Sequence, residues 1–241
     1  MVPSRHLATW SVLGALLALV APIVGAAVAS LVFPQFRLTS LPLHALVEGA
    51  GGLVALAIAL ILLAERGHKA DSDHHVWMVV GFISMGVLDL FHAATSPGDL
   101  FIWLRTLASL FGGLCFACVW LPVPTRQFSR DSAFLIAACF FSIAVGGMSV
   151  LGADYLPRMR TSEGSFTIVP IAGHFGSGLG FLASSLFFWR RFCRNYTVED
   201  WLFSVQSALF SAAGFLFCYS VIWDGGWWWW HVLRLAAYLA A

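Results

Sequence analysis

Long apolar runs separated by short polar segments make up nearly all of this 241-residue chain, and they constrain its fold more than any motif does. A segment in lipid must satisfy its own backbone hydrogen bonds, so an apolar run of about 20 residues is expected to cross the bilayer as an α-helix. Spans are placed near residues 8–33, 41–64, 76–95, 100–120, 132–152, 167–190, 201–223 and 226–241. The sequence therefore predicts an all-α fold, a polytopic transmembrane helix bundle of about seven to eight spans, forming one domain over residues 1–241.

The composition excludes an ordinary soluble protein. Hydrophobic residues make up 60% of the chain and charged residues 10%, which is too few to cover a water-exposed surface. A formal net charge of +1 gives no reason to expect a nucleic-acid partner, whereas membrane lipid is an expected partner. The five cysteines lie mostly within apolar runs, so we expect no disulfide framework.

Basic residues in the short connections predict the orientation, because Lys and Arg are retained on the cytoplasmic side of a membrane. Eight fall on the side of the N-terminus: Arg5, Arg66, Lys69, Arg126, Arg130, Arg190, Arg191 and Arg194. Three fall on the opposite side: Arg37, Arg158 and Arg160. We therefore expect a multi-pass membrane protein with both termini in the cytoplasm. The run Trp227–Trp230 is then expected at the outer interface, where tryptophan is enriched.

Ionisable residues inside the predicted spans converge in the outer half of the bundle. Seven share similar predicted depths: His44, Glu48, Asp89, His92, Arg105, His174 and His231. His44 and Glu48 are four residues apart, and Asp89 and His92 are three apart, so each pair lies on one helix face. Arg234 is expected to lie apart from this group. Two facing helices would present four side chains to one another.

This group predicts a metal site, because a carboxylate in hydrocarbon is costly and needs a partner. Imidazole nitrogen and carboxylate oxygen suit copper, zinc or iron, and metal centres in bundles are commonly built from inward ligands on several helices. The expected metal ligands are His44, Glu48, Asp89, His92 and His174. His231 and Arg105 are expected as a further ligand or as support for the ligands. The choice among the three metals stays open.

Three other interpretations of the same residues stay open. Arg105 paired with a carboxylate would form a structural polar core. His92 and His174 would suit a haem as its two axial ligands, which needs no carboxylate. A zinc ion with an open position, with Ser84 nearby, would activate water for an intramembrane lipid amidase that acts on ceramide-like lipids. The closely spaced histidine pair of such amidases is absent from the sequence, since His174 and His231 fall on different spans.

Four stretches of the sequence carry a resemblance to a known family. They are His44-x-x-x-Glu48, Gly81-x-x-x-x-Gly86-x-Leu88-Asp89-Leu90-x-His92, Trp103-x-Arg105 and the closing segment from Trp227 to Tyr238. They resemble the membrane-associated (MASE-type) sensor domains of bacterial histidine kinases and diguanylate cyclases. The resemblance implies a signal-input module of the bacterial inner membrane. Such a module is expected not to be an enzyme itself and to act with a cytoplasmic signalling domain or partner protein. Such sensors commonly work as dimers, so a homodimer is also expected.

Overall fold

The part of the chain that the structure describes consists mainly of α-helices joined by short connections. The structure is a computed structural model that describes residues 5–65, 74–122 and 132–240. These residues form eight α-helices: α1 Arg5–Leu31, α2 Leu41–Glu65, α3 His75–Ala93, α4 Asp99–Ala117, α5 Ser132–Leu151, α6 Ile168–Asn195, α7 Val198–Phe217 and α8 Gly225–Leu239. The described ranges contain no strand, only isolated bridges that join Arg37 to Asp224 and Arg160 to Phe166. The all-α prediction is confirmed.

Five helical segments are long and apolar enough to cross a membrane: Leu41–Glu65, His75–Ala93, Asp99–Trp120, Ala133–Leu151 and Ile168–Asn195. The protein is therefore a multi-pass membrane protein. Helix α8 has 15 residues, which is about 22 Å of helix against the roughly 30 Å of a hydrocarbon core. The total of seven to eight spans stays a prediction.

Helix α3 lies at the centre of the bundle. It packs against α2, α4 and α5, while α4 packs on α6, α6 on α7, and α7 on α8. Helix α8 then closes the arrangement by packing on α1 and α2. Helix α2 keeps His44 and Glu48 on its buried face and exposes Leu46, Leu53 and Leu60. An apolar exterior around a polar interior is the arrangement expected when lipid is the solvent.

Two glycines bring the helices that carry the candidate site into backbone contact. A Cβ atom added at Gly86 of α3 would lie 2.8 Å from the carbonyl oxygen of Gly52 on α2, and one added at Gly52 would lie 3.0 Å from that of Gly86. Small residues at such crossings let helix backbones approach closely. This contact places the His44–Glu48 face of α2 directly against α3.

Asp224 fixes the start of α8. Its two carboxylate oxygens accept hydrogen bonds from the backbone amides of Trp227, at 2.6 Å, and Val221, at 3.0 Å. An aspartate at this position caps the first turn of a helix. Trp227 and Trp230 then point into the bundle and are 1% and 2% exposed. The sequence placed all four tryptophans at the outer interface, but these two are core residues because they enclose the buried histidines.

Candidate metal centre

The candidate site is built from side chains on four helices at the end of the bundle that is predicted to face outward. Its members share almost complete burial, each being no more than 4% exposed: His44 and Glu48 on α2, Asp89 and His92 on α3, Arg105 on α4, and His231, Arg234 and Tyr238 on α8. The spacing of three or four residues within α2, α3 and α8 aligns the partners on one face of each helix.

Two arginines and two carboxylates form a closed network. The Nη1 atom of Arg105 donates to Glu48 Oε2 at 3.1 Å and to Asp89 Oδ1 at 2.8 Å. The Nη1 atom of Arg234 donates to Glu48 Oε2 at 3.0 Å, and its Nη2 atom donates to Asp89 Oδ2. Each carboxylate therefore contacts both guanidinium groups. The prediction that Arg234 lies apart from the cluster is wrong, because its long side chain reaches both acids.

Neighbouring hydroxyl groups complete this network. Tyr238 donates its hydroxyl hydrogen to Asp89 Oδ2 at 3.0 Å, and Arg105 Nη2 donates to Ser109 Oγ at 2.8 Å. Both oxygens of Asp89 are thus engaged by donors, as a buried carboxylate requires. The same contacts leave Asp89 poorly placed to bind a metal. Its role as a ligand stays a prediction that this geometry does not favour.

The two arginines bind one carboxylate oxygen of Glu48, and the other oxygen faces a histidine. Both arginines contact Oε2, whereas Oε1 lies 3.2 Å from Nε2 of His231. His44, Glu48 and His231 each offer one ligand atom, and these three atoms lie within 4.8 Å of one another. The sequence predicts His231 as a further ligand or as support for the ligands. The structure makes it one of the three residues whose ligand atoms converge.

The hydrogen bonds of His231 indicate that a positive charge is needed between its Nε2 atom and the Glu48 carboxylate. Nδ1 lies 2.7 Å from the carbonyl oxygen of Trp227, which can only accept, so Nδ1 carries the ring hydrogen. Nε2 of the neutral ring is then a bare lone pair, and it has no hydrogen-bond partner among the described residues. A lone pair and a carboxylate oxygen 3.2 Å apart repel unless a proton or a metal ion lies between them.

The same distance suits a metal ion. Two ligand atoms 3.2 Å apart, each about 2.0–2.1 Å from a shared ion, subtend about 100° at that ion, which is close to the tetrahedral angle that zinc adopts. The hydrogen bond from Nδ1 of His231 to a backbone carbonyl is also the support that metal-binding histidines usually have. The donor set and the separation of His231 Nε2 from Glu48 Oε1 fit a metal ion.

His92 shows the same arrangement beside this trio. Its Nδ1 atom donates to the carbonyl oxygen of Phe101 at 2.8 Å, and its Nε2 atom has no hydrogen-bond partner among the described residues. The ring centroids of His92 and His44 are 4.9 Å apart, and those of His44 and His231 are 5.3 Å apart. The His92 ring therefore lies next to the three converging residues without being one of them.

Aromatic side chains enclose the imidazoles. The His231 ring stacks on Trp230 with a centroid separation of 3.6 Å, and the His44 ring lies 4.8 Å from Phe101 and 5.2 Å from Trp227. A cavity lined by His92, Phe101, Trp227 and Trp230 has a volume of about 10 Å³, at the lower limit for a single water molecule. Electrostatic interactions at the site are therefore weakly screened.

His174 and Ser84 lie outside this group. The His174 ring stacks on Phe217 with a centroid separation of 3.5 Å, and the centroid of the Trp230 ring lies 6.4 Å from it. Ser84 accepts a hydrogen bond from Ser142 of α5 at 3.2 Å. Neither residue joins the three ligand atoms that converge, so the structure gives no support to a serine beside a metal-activated water.

A second polar cluster lies at the opposite end of the bundle. His75 Nε2 is 3.3 Å from Glu199 Oε1, and Arg191 Nε donates to Asp200 Oδ1 at 2.9 Å. These contacts join α3, α6 and α7. His74, just before α3, is buried beside them. Burial, followed by the nearby His75 and Arg191, lowers the pKa of His74 to about 3. His74 is therefore neutral at physiological pH.

The fold and the buried network of Glu48, Asp89, Arg105 and Arg234 define a class of protein. It is a helical membrane domain whose charged side chains lie among its helices rather than at an external surface. Residues 37–241 match the MASE3 family, described as a membrane-associated sensor domain, and the chain belongs to this family. The resemblance drawn from the sequence motifs is thereby confirmed. No curated protein and no solved structure matches the chain.

Sequence reasoning missed Arg234 and Tyr238. A signal was present, because His231, Arg234 and Tyr238 follow one another at intervals of three and four residues and so share one face of α8. Extending the face from His231 toward the C-terminus would have included both. Their exclusion rested on counting residue depth alone.

Proposed function

We propose that this sensor domain binds a metal ion through His44, Glu48 and His231, with His92 as an adjacent ligand, and relays the binding to a cytoplasmic signalling module. The observation that carries the proposal is the bare Nε2 atom of His231 facing Glu48 Oε1 at 3.2 Å, with a third ligand atom within reach. Imidazole and carboxylate ligands suit copper, zinc or iron. A haem stays an alternative cofactor, although the stacking of Phe217 on His174 does not favour it.

Helix α8 is the proposed path of the signal. His231 and Arg234 contact Glu48, while Arg234 and Tyr238 contact Asp89, so α8 meets α2 and α3 through the same side chains that surround the ion. An ion replaces repulsion between His231 and Glu48 with attraction and so favours one position of α8. Such a difference in affinity between two arrangements is what a ligand needs to shift an equilibrium. The C-terminal end of α8 is the end that the basic residues predict to be cytoplasmic.

The proposed setting follows from the family and from the charge distribution. A membrane-associated sensor with its basic connections on the side of both termini would lie in the bacterial inner membrane and face an output module in the cytoplasm. We propose a kinase or cyclase domain, or a separate protein, as that module, and a homodimer as the working form. Membrane lipid surrounds the exposed apolar faces of helices such as α2.

Elemental analysis tests the metal proposal. Protein purified in detergent without chelator or affinity-tag metal is expected to contain about one equivalent of copper, zinc or iron, and Glu48→Gln should remove it while the helices remain folded. His174→Gln is the matched control, since it also changes a buried polar residue of the outer half but leaves the three converging atoms intact. Metal content that is unchanged in Glu48→Gln would count against the site.

A structural polar core is the second candidate function of these residues. The balanced network of Arg105, Arg234, Glu48 and Asp89 favours it, because every charge in the network is paired. This candidate predicts a protein that contains no metal after the same purification, and a His231→Gln variant with unchanged helix content.

The absorption spectrum of the same sample would reveal a haem by its strong band in the violet.

A further inference from the structure

We infer that the ion bound at this site is monovalent and of the Cu(I) class, which accepts imidazole nitrogen at low coordination number. The inference rests on the proposed function, because it names the ion for the same three ligands. Its basis is the charge balance of the buried groups together with the donor atoms that remain.

The buried charges already balance before an ion enters. Glu48 and Asp89 contribute two negative charges, and Arg105 and Arg234 contribute two positive charges, all with side chains no more than 5% exposed. Tyr238 donates to Asp89 and is therefore a neutral phenol in this network. A divalent ion would leave two uncompensated charges in a weakly screened interior, whereas a monovalent ion leaves one, and unpaired buried charge is strongly unfavourable.

The histidines cannot offset the positive charge that a divalent ion would add. His92 and His231 use their Nδ1 hydrogen to reach backbone carbonyls, so each offers a neutral nitrogen as its ligand atom. A zinc ion usually compensates with anionic protein ligands or a bound hydroxide in a fourth position. The cavity of about 10 Å³ lined by His92, Phe101 and Trp227 barely admits one water, and none of His44, Glu48 and His231 lines it.

The available donors suit Cu(I) in number as well as in charge. Glu48 contributes one oxygen, because both arginines hold the other. The Nε2 atoms of His44, His92 and His231 have no hydrogen-bond partner among the described residues. Copper is well served by imidazole, and Cu(I), with a filled d shell, is stable with two or three such nitrogens. Among the described residues, the nitrogens of His44 and His231 are the two that converge with Glu48, so the site provides three-coordinate binding by two neutral ligands and one carboxylate oxygen.

A competition titration tests the inference on the purified full chain in detergent. Cu(I), Ag(I) as a monovalent ion without redox chemistry, and Zn²⁺ are each titrated against a chelator of known affinity. We expect one equivalent of Cu(I) or Ag(I) to bind, with Zn²⁺ at least about 100-fold weaker. Zn²⁺ binding as tight as Cu(I), or Zn²⁺ binding alone, would overturn the inference and leave the proposed metal sensor standing. Binding of none of the three ions would refute the inference, and retention of neither copper, zinc nor iron in the elemental analysis would separately refute the proposed function.

A charge-changing variant gives an independent measure. Arg105→Gln leaves the network with one net negative charge and should shift the Zn²⁺ to Ag(I) affinity ratio toward Zn²⁺ by at least about tenfold. Arg105→Lys keeps the charge and is the matched control, which should leave the ratio nearly unchanged. An unchanged ratio in a folded Arg105→Gln protein would contradict the charge argument. The ratio in the unaltered protein decides the inference if Arg105→Gln does not fold.

Discussion

Replacing Arg234 with glutamine should destabilise the protein by about 3–5 kcal/mol, the usual cost of removing one partner from a buried ion pair. The structure explains why the cost is that of one charge rather than two. Arg234 contacts Glu48 and Asp89, but Arg105 contacts the same two carboxylates and stays in place. The variant therefore holds one uncompensated negative charge. It also loses the hydrogen bond from Arg234 to the hydroxyl oxygen of Tyr238, which is 2.8 Å long.

Conservative and compensating variants separate charge from geometry. Arg234→Lys keeps the positive charge but loses the planar fork that contacts both acids, so it should cost about 1–2 kcal/mol. Arg234→Gln combined with Asp89→Asn restores a balance of one positive and one negative charge. The double variant should therefore be more stable than the sum of the two single changes by about 1–3 kcal/mol.

The assay is unfolding in mixed detergent micelles, followed by the fluorescence of the 11 tryptophans. Arg37→Gln is the control, because Arg37 is exposed in the connection between α1 and α2 and its guanidinium donates to backbone carbonyls there. It should change the stability by no more than about 0.5 kcal/mol. An Arg234→Gln protein that is as stable as the Arg37→Gln protein would refute the reasoning, as would strict additivity with Asp89→Asn.

Three further predictions concern other parts of the structure. Tyr238→Phe removes the hydroxyl that donates to Asp89 and should cost about 1–3 kcal/mol in the same unfolding assay; no change would show that this hydrogen bond is unimportant. Gly86→Leu should force α2 away from α3 and reduce metal retention, because an added Cβ would lie 2.8 Å from a carbonyl oxygen of α2. Gly147→Leu is the control and should retain metal, because a Cβ added there would have no described atom within 4 Å. The free energy of unfolding should fall as the pH decreases from 6.5 toward 3, because burial keeps the pKa of His74 at about 3 in the folded protein. The unfolded chain takes up a proton at His74 over this range, which costs up to about 1.4 kcal/mol of stability per pH unit. His74→Asn should make this pH dependence shallower, and an equally steep dependence would exclude His74 as its cause.

The helices could be predicted from the sequence because lipid allows few alternatives to a helix for a long apolar segment. The second span was placed at 41–64 and α2 is Leu41–Glu65, while the span placed at 201–223 corresponds to α7 at Val198–Phe217. The connection after α7 was included in the span because it is apolar. It instead turns at Ser220 and Asp224, where side-chain hydrogen bonds end one helix and begin the next.

The candidate site was predictable where two residues share one turn of a helix. The pairs on α2 and α3 do meet, because their spacing fixes a common face and Gly52 and Gly86 bring those faces together. Arg234 was missed for a physical reason. Depth counted along a helix locates the Cα atom, whereas an arginine side chain reaches several ångströms beyond it toward a carboxylate.

Rotation about the helix axis was the other quantity that the sequence did not supply. His174 has a depth similar to that of His44, but its ring stacks on Phe217 instead of joining the converging ligand atoms. His231 faces Glu48 because α8 begins at the cap formed by Asp224. A shared depth is therefore necessary for two residues to meet, and the contacts of each helix decide whether they do.

X-ray absorption spectroscopy at the edge of the metal that copurifies with the full chain tests the central claim most directly. The account predicts one ion with a first shell of nitrogen and oxygen at about 2.0 Å, including the outer-shell scattering typical of at least two imidazole rings, and the loss of that signal in His231→Gln. A first shell of sulfur, a spectrum unchanged by His231→Gln, or no ion above trace level would contradict it.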